Sequence, residues 1–77
     1  MSEKRIDRLL IEVGEELDKA TGKFGPLASA HEAYGVILEE LDEFWDHVKG
    51  NTVHTEEARR ELIQIAAMAI RTIIDVI

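Results

Sequence analysis

The sequence predicts an all-α protein, and three observations carry this prediction. Apolar residues recur at intervals of three and four along three segments, which is the spacing of one face of an α-helix. Turn-forming residues separate the segments, at the single proline and at a later Gly-Asn pair. The 77 residues include no cysteine and are 45% hydrophobic and 32% charged, a composition typical of an ordered domain without disulfides. We therefore expect one domain over residues 1–77.

The first helix is expected from about Ser2 to Thr21, with Gly22 ending it. Its apolar positions keep helical spacing and consist of Ile6, Leu9, Leu10, Val13 and Leu17. A joint follows at residues 23–27, because Pro26 disfavours a helical conformation at the residue before it. The chain is expected to turn there.

A capping box predicts the start of the second helix. Ser29 and Glu32 have the spacing at which both side chains bond exposed amides, and the helix is expected to run to about Lys49. One apolar stripe consists of Ala33, Ile37, Leu41, Phe44 and Val48. An acidic set lies roughly opposite and consists of Glu39, Asp42 and Asp46. Glu40 and Glu43 fall on the flank of the apolar stripe.

The third helix is expected from an N-cap at Thr55 to the chain end, after Gly50 and Asn51 end the second. From Leu62 onward its apolar residues cover well over half of the circumference. One neighbouring helix cannot bury so wide a surface. We therefore expect the three-helix protomer to form a four-helix-bundle-type core by oligomerisation, as a homodimer or homotetramer.

Charge and hydropathy limit the function classes. The formal net charge of −7 argues against a surface that grips nucleic-acid phosphates, which needs clustered Lys and Arg. No stretch approaches the roughly 18 apolar residues that span a bilayer, and the N-terminal residues do not resemble a signal sequence. We expect a cytoplasmic protein without nucleic-acid or membrane partners.

Two short repeats are the candidates for a functional site: Glu39-Glu40-x-x-Glu43 and Glu61-x-x-Gln64. A three-residue step on a helix puts two side chains nearly on one line, so each repeat presents a pair of oxygen ligands. Facing each other, the pairs would form a site for Mg²⁺, or for Mn²⁺, because these hard cations prefer carboxylate and amide oxygens. The alternative is a solvated acidic face, which is common on helices.

These residues, in order on two helices of an acidic all-helical chain, resemble the motifs of the MazG-like nucleoside triphosphate pyrophosphohydrolases. The resemblance extends from about residue 24 to residue 75. It implies a Mg²⁺-dependent enzyme that cleaves nucleoside triphosphates to monophosphate and pyrophosphate, with a role in clearing the nucleotide pool. The alternative is a non-catalytic helical oligomerisation or adaptor module with a degenerate metal site.

Carried over by position, the resemblance implies four metal ligands: Glu40, Glu43, Glu61 and Gln64. It also implies a catalytic role for Glu40 and for Glu39, which would support the site or help orient water. Gln64 stands where the family motif has aspartate, and an amide adds no negative charge and cannot act as a base. Either the site binds fewer or weaker ions, or catalysis is altered or absent.

Contacts to the substrate are less defined by the sequence. Lys49 and Arg71 are the preferred candidates for phosphate contact, although surface cations are usually solvated and Arg71 has Asp75 one turn away. His47 could bind metal or phosphate, or be hydrogen-bonded locally. Further candidates are Lys23 for phosphate and Phe24, Tyr34 and Trp45 for base stacking, the aromatic residues being more often core or interface.

Overall fold

The structure of the protein, a computed structural model, describes residues 3–23, with the backbone alone for Lys23, and residues 25–77. Three helices make up its regular structure: α1 (Glu3–Lys23), α2 (Ala30–Lys49) and α3 (Glu56–Asp75). The described residues form no strand, which confirms the all-α prediction. None of the helices in these ranges combines the length and apolar character needed to cross a bilayer.

Helix α3 is the centre of the arrangement. It packs against α2 and against α1, whereas α1 and α2, as far as they are described, do not pack against each other. The wide apolar surface of α3 needs a neighbour on two sides. Within the chain, α2 covers one side and α1 covers part of the other. The separation of α1 and α2 leaves a groove over α3, and this groove becomes important for the site.

The predicted N-cap residues, Ser29 and Thr55, are confirmed. Ser29 Oγ accepts a hydrogen bond from the backbone N–H of Glu32 at 3.1 Å, and Thr55 Oγ1 accepts one from Ala58 N–H at 3.3 Å. Each bond satisfies an amide that the first turn of a helix leaves without a partner. At the other end of α2, Asn51 adopts a left-handed conformation with φ of 58°, which stops the helix.

Two predicted boundaries are wrong by two residues each. Helix α1 continues through Gly22 to Lys23, because a glycine weakens a helix by about 1 kcal/mol and does not by itself end it. Helix α3 ends at Asp75 instead of the chain end. There the N–H of Ile77 bonds Thr72 O, five residues back, so the backbone leaves the α-helical pattern.

The buried face of α2 matches the predicted stripe only in part. Leu41 and Val48, two members of that stripe, are 49% and 36% exposed. The residues of α2 that are at least half-buried comprise the other three stripe members, Ala33, Ile37 and Phe44, and also Val36, Glu40 and His47. Apolar residues occupy more than one face of α2, so periodicity alone does not select the face that meets α3. Packing against α3 turns Glu40 inward.

The buried core is small, and half of its hydrophobic members are alanines. Its hydrophobic members are Val13, Leu27, Ala33, Ala58, Ala67 and Met68. Large apolar side chains stay exposed along one side of α2, namely Tyr34, Leu38, Leu41, Trp45 and Val48. Others stay exposed on α3, namely Leu62, Ile70, Ile73 and Ile74. The single chain thus leaves much of its apolar surface in contact with water.

Candidate metal site

Three carboxylates of the two repeats lie together between α2 and α3. Glu40 and Glu43 are one turn apart on α2, and Glu61 lies on the facing side of α3 near its start. One carboxylate oxygen from each residue lies within 4.8 Å of the others. The packing of these two helices therefore brings together the three carboxylates that the sequence suggested as ligands.

Two oxygens of this cluster lack partners. Oε2 of Glu40 and Oε2 of Glu61 are buried, and neither has a hydrogen-bond partner among the described residues. A buried polar atom without a partner raises the free energy of the folded state. Hard divalent cations bind carboxylate oxygens, so the donor set and its two orphaned atoms fit such an ion. Acidic clusters also occur on helices without any ion, and the orphaned atoms are what sets this one apart.

Two carboxyls of the cluster, Glu43 and Glu61, hold protons more tightly than isolated carboxyls do. The pKa of Glu43 is raised, mainly because a protonated carboxyl here hydrogen-bonds to Glu61, with burial and the charge of Glu61 acting in the same direction. The pKa of Glu61 is raised as well, first by burial and then because a proton on one of the two carboxyls would allow a hydrogen bond with Glu40 that the ionised pair lacks. Like charges in a partly buried cluster disfavour full ionisation. A bound cation would relieve this repulsion.

A cavity of about 360 Å³ opens beside the cluster. Glu40 belongs to both the cluster and the cavity wall, and Gln64, one turn beyond Glu61, lines the cavity as well. The remaining lining residues are Glu16, Ala20, Gly25, Leu27, Glu32, Val36, Ala67, Met68 and Arg71. They come from all three helices and from the joint between α1 and α2. The cavity therefore occupies the groove that α1 and α2 leave over α3.

Two predicted site residues lie away from this centre. Glu39 is exposed on α2 and is not part of the carboxylate cluster. Lys49 is exposed and forms an ion pair with Asp46 at 3.4 Å. The catalytic role of Glu39 and the phosphate contact of Lys49 stay predictions. His47 is half-buried, and its Nδ1 is hydrogen-bonded to Thr52 Oγ1 at 2.8 Å, the local arrangement that the sequence left open.

Arg71 is buried, with 4% of its surface exposed. Its Nε donates to Asp75 Oδ2 at 3.1 Å, and its guanidinium also donates to the backbone carbonyls of Gly25 and Ala20. The same Asp75 oxygen accepts from the N–H of Leu27 at 2.9 Å. The pairing of Arg71 with Asp75 is thus confirmed, and a contact between Arg71 and phosphate stays a prediction.

Several contacts have no signal in the sequence pattern. Arg59 donates two hydrogen bonds of 2.6 Å to the Glu12 carboxylate and so joins α3 to α1. This hydrogen bonding lowers the pKa of Glu12. The partners are 47 residues apart, beyond any helical periodicity. The placement of Glu16 and Glu32 at the cavity is equally non-local, whereas the two repeats were visible as short motifs.

Two of the candidate aromatic residues, Tyr34 and Trp45, are not among the described residues that line the cavity. Tyr34 and Trp45 are exposed on α2, with 68% and 54% of their surfaces accessible. Phe24 and the Lys23 side chain lie outside the described residues, so the predicted base stacking and phosphate contact stay predictions.

Comparisons of the chain with models of known protein families, with curated proteins and with solved structures gave no match.

Proposed function

We propose that the protein is a Mg²⁺-dependent nucleoside triphosphate pyrophosphohydrolase of the MazG-like type, releasing a nucleoside monophosphate and pyrophosphate. The observation that carries the proposal is the convergence of Glu40, Glu43 and Glu61, with two buried carboxylate oxygens that have no hydrogen-bond partner within the described chain. Both motifs of the resemblance contribute to this cluster. We place the enzyme in the cytoplasm as a homo-oligomer, with Mn²⁺ as an alternative ion.

Each residue of the proposed site has a separate role in holding the cation. Glu40, Glu43 and Glu61 would hold the cation, and Gln64 would add a neutral amide oxygen beside them. When bound, the cation supplies neutralisation of phosphate oxygens and activation of a water molecule. Three carboxylates and an amide are enough protein ligands, because Mg²⁺ usually keeps several waters and takes few protein carboxylates. With Gln64 in place of an aspartate, we expect moderate ion affinity.

Electrostatics make the cation indispensable in this proposal. The chain carries a net charge of −7, and the cluster itself is acidic, so a bare triphosphate is repelled. Binding of a divalent ion at the cluster reverses the local field. Hydrolysis should therefore depend strictly on Mg²⁺ or Mn²⁺.

The test combines ion binding with turnover. Saturating Mg²⁺ should raise the thermal unfolding midpoint of the wild type, by the equivalent of about 2.7 kcal/mol at a hundred times the dissociation constant. Glu40→Gln should abolish this shift. Asp42→Asn, which removes one charge from the exposed side of the same helix, should keep it. A panel of triphosphates incubated with Mg²⁺ should release pyrophosphate with the wild type and with Asp42→Asn alone.

The exposed apolar residues of α2 and α3 favour the second candidate, a non-catalytic helical oligomerisation or adaptor module. Under this alternative the acidic flank only keeps the protein soluble. Mg²⁺ would then leave the unfolding midpoint unchanged, and no triphosphate would be cleaved. Those two results together would reject the enzyme proposal, whereas stabilisation by Glu40→Gln in the absence of a cation is expected under both candidates, because the substitution relieves repulsion.

A further inference from the structure

The cavity beside the carboxylate cluster has the size and lining of a small-molecule site. Its volume of about 360 Å³ falls within the roughly 300–1,000 Å³ that is usual for ligand pockets. An apolar surface is provided by Leu27, Val36, Ala67 and Met68. Such a surface suits a flat ring, and a methionine sulfur makes favourable contacts with aromatic rings. The lining therefore suits a heteroaromatic group.

The polar groups of the wall are unequal in hydrogen-bonding character. Glu16 from α1 and Glu32 from the first turn of α2 line the cavity, and ionised carboxylates only accept hydrogen bonds. Glu40 adds a third carboxylate. Arg71 also lines the wall, but its guanidinium donates to Asp75 and to the carbonyls of the joint. Gln64 has both a donor and an acceptor. Acceptors therefore predominate among these described groups.

We propose that this cavity receives the base of the nucleotide, and that Glu16 and Glu32 make it selective for bases that carry an exocyclic amino group. The inference rests on the proposed function and names the substrate class of the same site. An amino group donates to a carboxylate, which gives a charge-assisted hydrogen bond. A carbonyl oxygen at the same position of the ring faces another acceptor and is repelled. Cytosine and uracil differ in this way at a single position.

The position of Glu40 shows that the proposed phosphate site and the proposed base site adjoin each other. Glu40 belongs to the cluster that would hold the ion and to the wall of the cavity. A nucleotide whose phosphates lie at the cluster therefore has its base within reach of the groove between α1 and α2. Glu16 and Glu32 lie on these two helices, so the base would meet one carboxylate from each side.

The first measurement uses cytidine and uridine without phosphate, so that it does not depend on the metal cluster. Nuclear magnetic resonance titration of the whole chain should give tighter binding of cytidine, by about tenfold, the value expected for one charged hydrogen bond. Residues lining the cavity should show the largest shifts. Equal affinity for both nucleosides, or binding of neither, would overturn the proposal.

The second measurement assigns the selectivity to the two carboxylates. In Glu16→Gln/Glu32→Gln the amide can present either a donor or an acceptor, so the preference for cytidine should fall to near parity. Glu15→Gln/Asp42→Asn is the matched control, because it removes the same two charges at exposed positions outside this cavity. The control should retain the tenfold preference. A preference that survives in the double variant would exclude these residues as its cause.

Turnover separates this inference from the function on which it rests. Faster pyrophosphate release from cytosine and adenine triphosphates than from uracil and thymine triphosphates would support both. Equal release from all four would overturn the selectivity and leave the hydrolase standing. A cytidine preference without any release would support the cavity assignment and overturn the hydrolase.

Discussion

At the scale of single residues, the ionised carboxylates of the cluster repel one another. Glu43 and Glu61 both have pKa values raised above the ordinary 4.5, so the folded protein binds protons here more tightly than the unfolded chain. Stability from this source is fully present below about pH 4.5 and is lost as the pH rises through the raised pKa values. Near neutral pH these two carboxylates therefore oppose folding, and a bound cation would offset this effect.

This repulsion predicts how the removal of one charge changes the stability of the protein. In the presence of a chelator, Glu61→Gln should raise the thermal unfolding midpoint by a few degrees at about pH 7.5, because repulsion is relieved. The gain should shrink near pH 4, because the raised pKa values of Glu43 and Glu61 favour their protonated forms there. Circular dichroism melts at both pH values check this, with Asp42→Asn as a control that shows no such difference. An equal loss of stability at both pH values would contradict it.

At the scale of elements, α3 holds α1 and the joint between α1 and α2 by polar contacts at two places. The bidentate Glu12–Arg59 pair joins it to α1, with both side chains partly exposed. The buried Arg71–Asp75 pair joins it to the last turns of α1 through the Ala20 carbonyl, and to the joint through Gly25 and Leu27. Because α1 and α2 do not pack together in the described structure, these contacts help to set the width of the groove.

The buried pair should be sensitive to the loss of one partner. Arg71→Met leaves Asp75 buried without its cation and should cost about 3–5 kcal/mol, much of the stability of so small a domain. Arg71→Met/Asp75→Asn removes the stranded charge and keeps an acceptor for the Leu27 N–H. Urea unfolding should therefore find the double variant more stable than Arg71→Met. Additive losses in the double variant would show that the two side chains are not coupled.

The Glu12–Arg59 pair should contribute less to stability than the buried Arg71–Asp75 pair. Its contribution should also depend on pH in the opposite sense to that of the Glu43 and Glu61 carboxyls. The lowered pKa of Glu12 means that its contribution is present near neutral pH and is lost as the pH falls below the ordinary value of 4.5. Glu12→Gln should cause a small loss of stability at neutral pH that shrinks in high salt, because the pair is partly exposed. Melts at low and high salt check this. A loss independent of salt would point to packing instead of charge.

At the scale of the whole molecule, the small core and the exposed apolar residues favour association. A chain of this length buries only about 60% of its unfolded surface, which leaves a monomer marginally stable. Large apolar side chains stay exposed along α2 and α3. Burying them against other copies is the simplest way to remove them from water, as the predicted homodimer or homotetramer would. The net charge of −7 opposes this association at low salt.

Trp45 reports on association because it is the only tryptophan and is 54% exposed. With increasing protein concentration or salt, its fluorescence should move to shorter wavelength while sedimentation reports a dimer or tetramer. The unfolding midpoint should rise with concentration as well. Leu41→Glu, at a position 49% exposed in the single chain, should leave the helices intact and shift the protein towards monomer. A concentration-independent monomer would remove oligomerisation from the proposal.

What the sequence by itself determined is local. The three helices and the caps at Ser29 and Thr55 follow from periodicity and from hydrogen bonds that reach three residues along the chain. The repeats likewise indicated which carboxylates to consider, since a three-residue step on a helix fixes their common side. The helix ends were less exact, because a glycine such as Gly22 only weakens a helix.

The tertiary structure decided what lies between elements. It selected the face of α2 that turns Glu40 inward, buried Arg71 against the joint, and brought Glu16 and Glu32 to one cavity. These outcomes depend on how helices with more than one apolar face pack against each other. Helical spacing relates residues a few positions apart, whereas these contacts join residues from different helices. Only the packing of α1 and α2 on α3 could determine them.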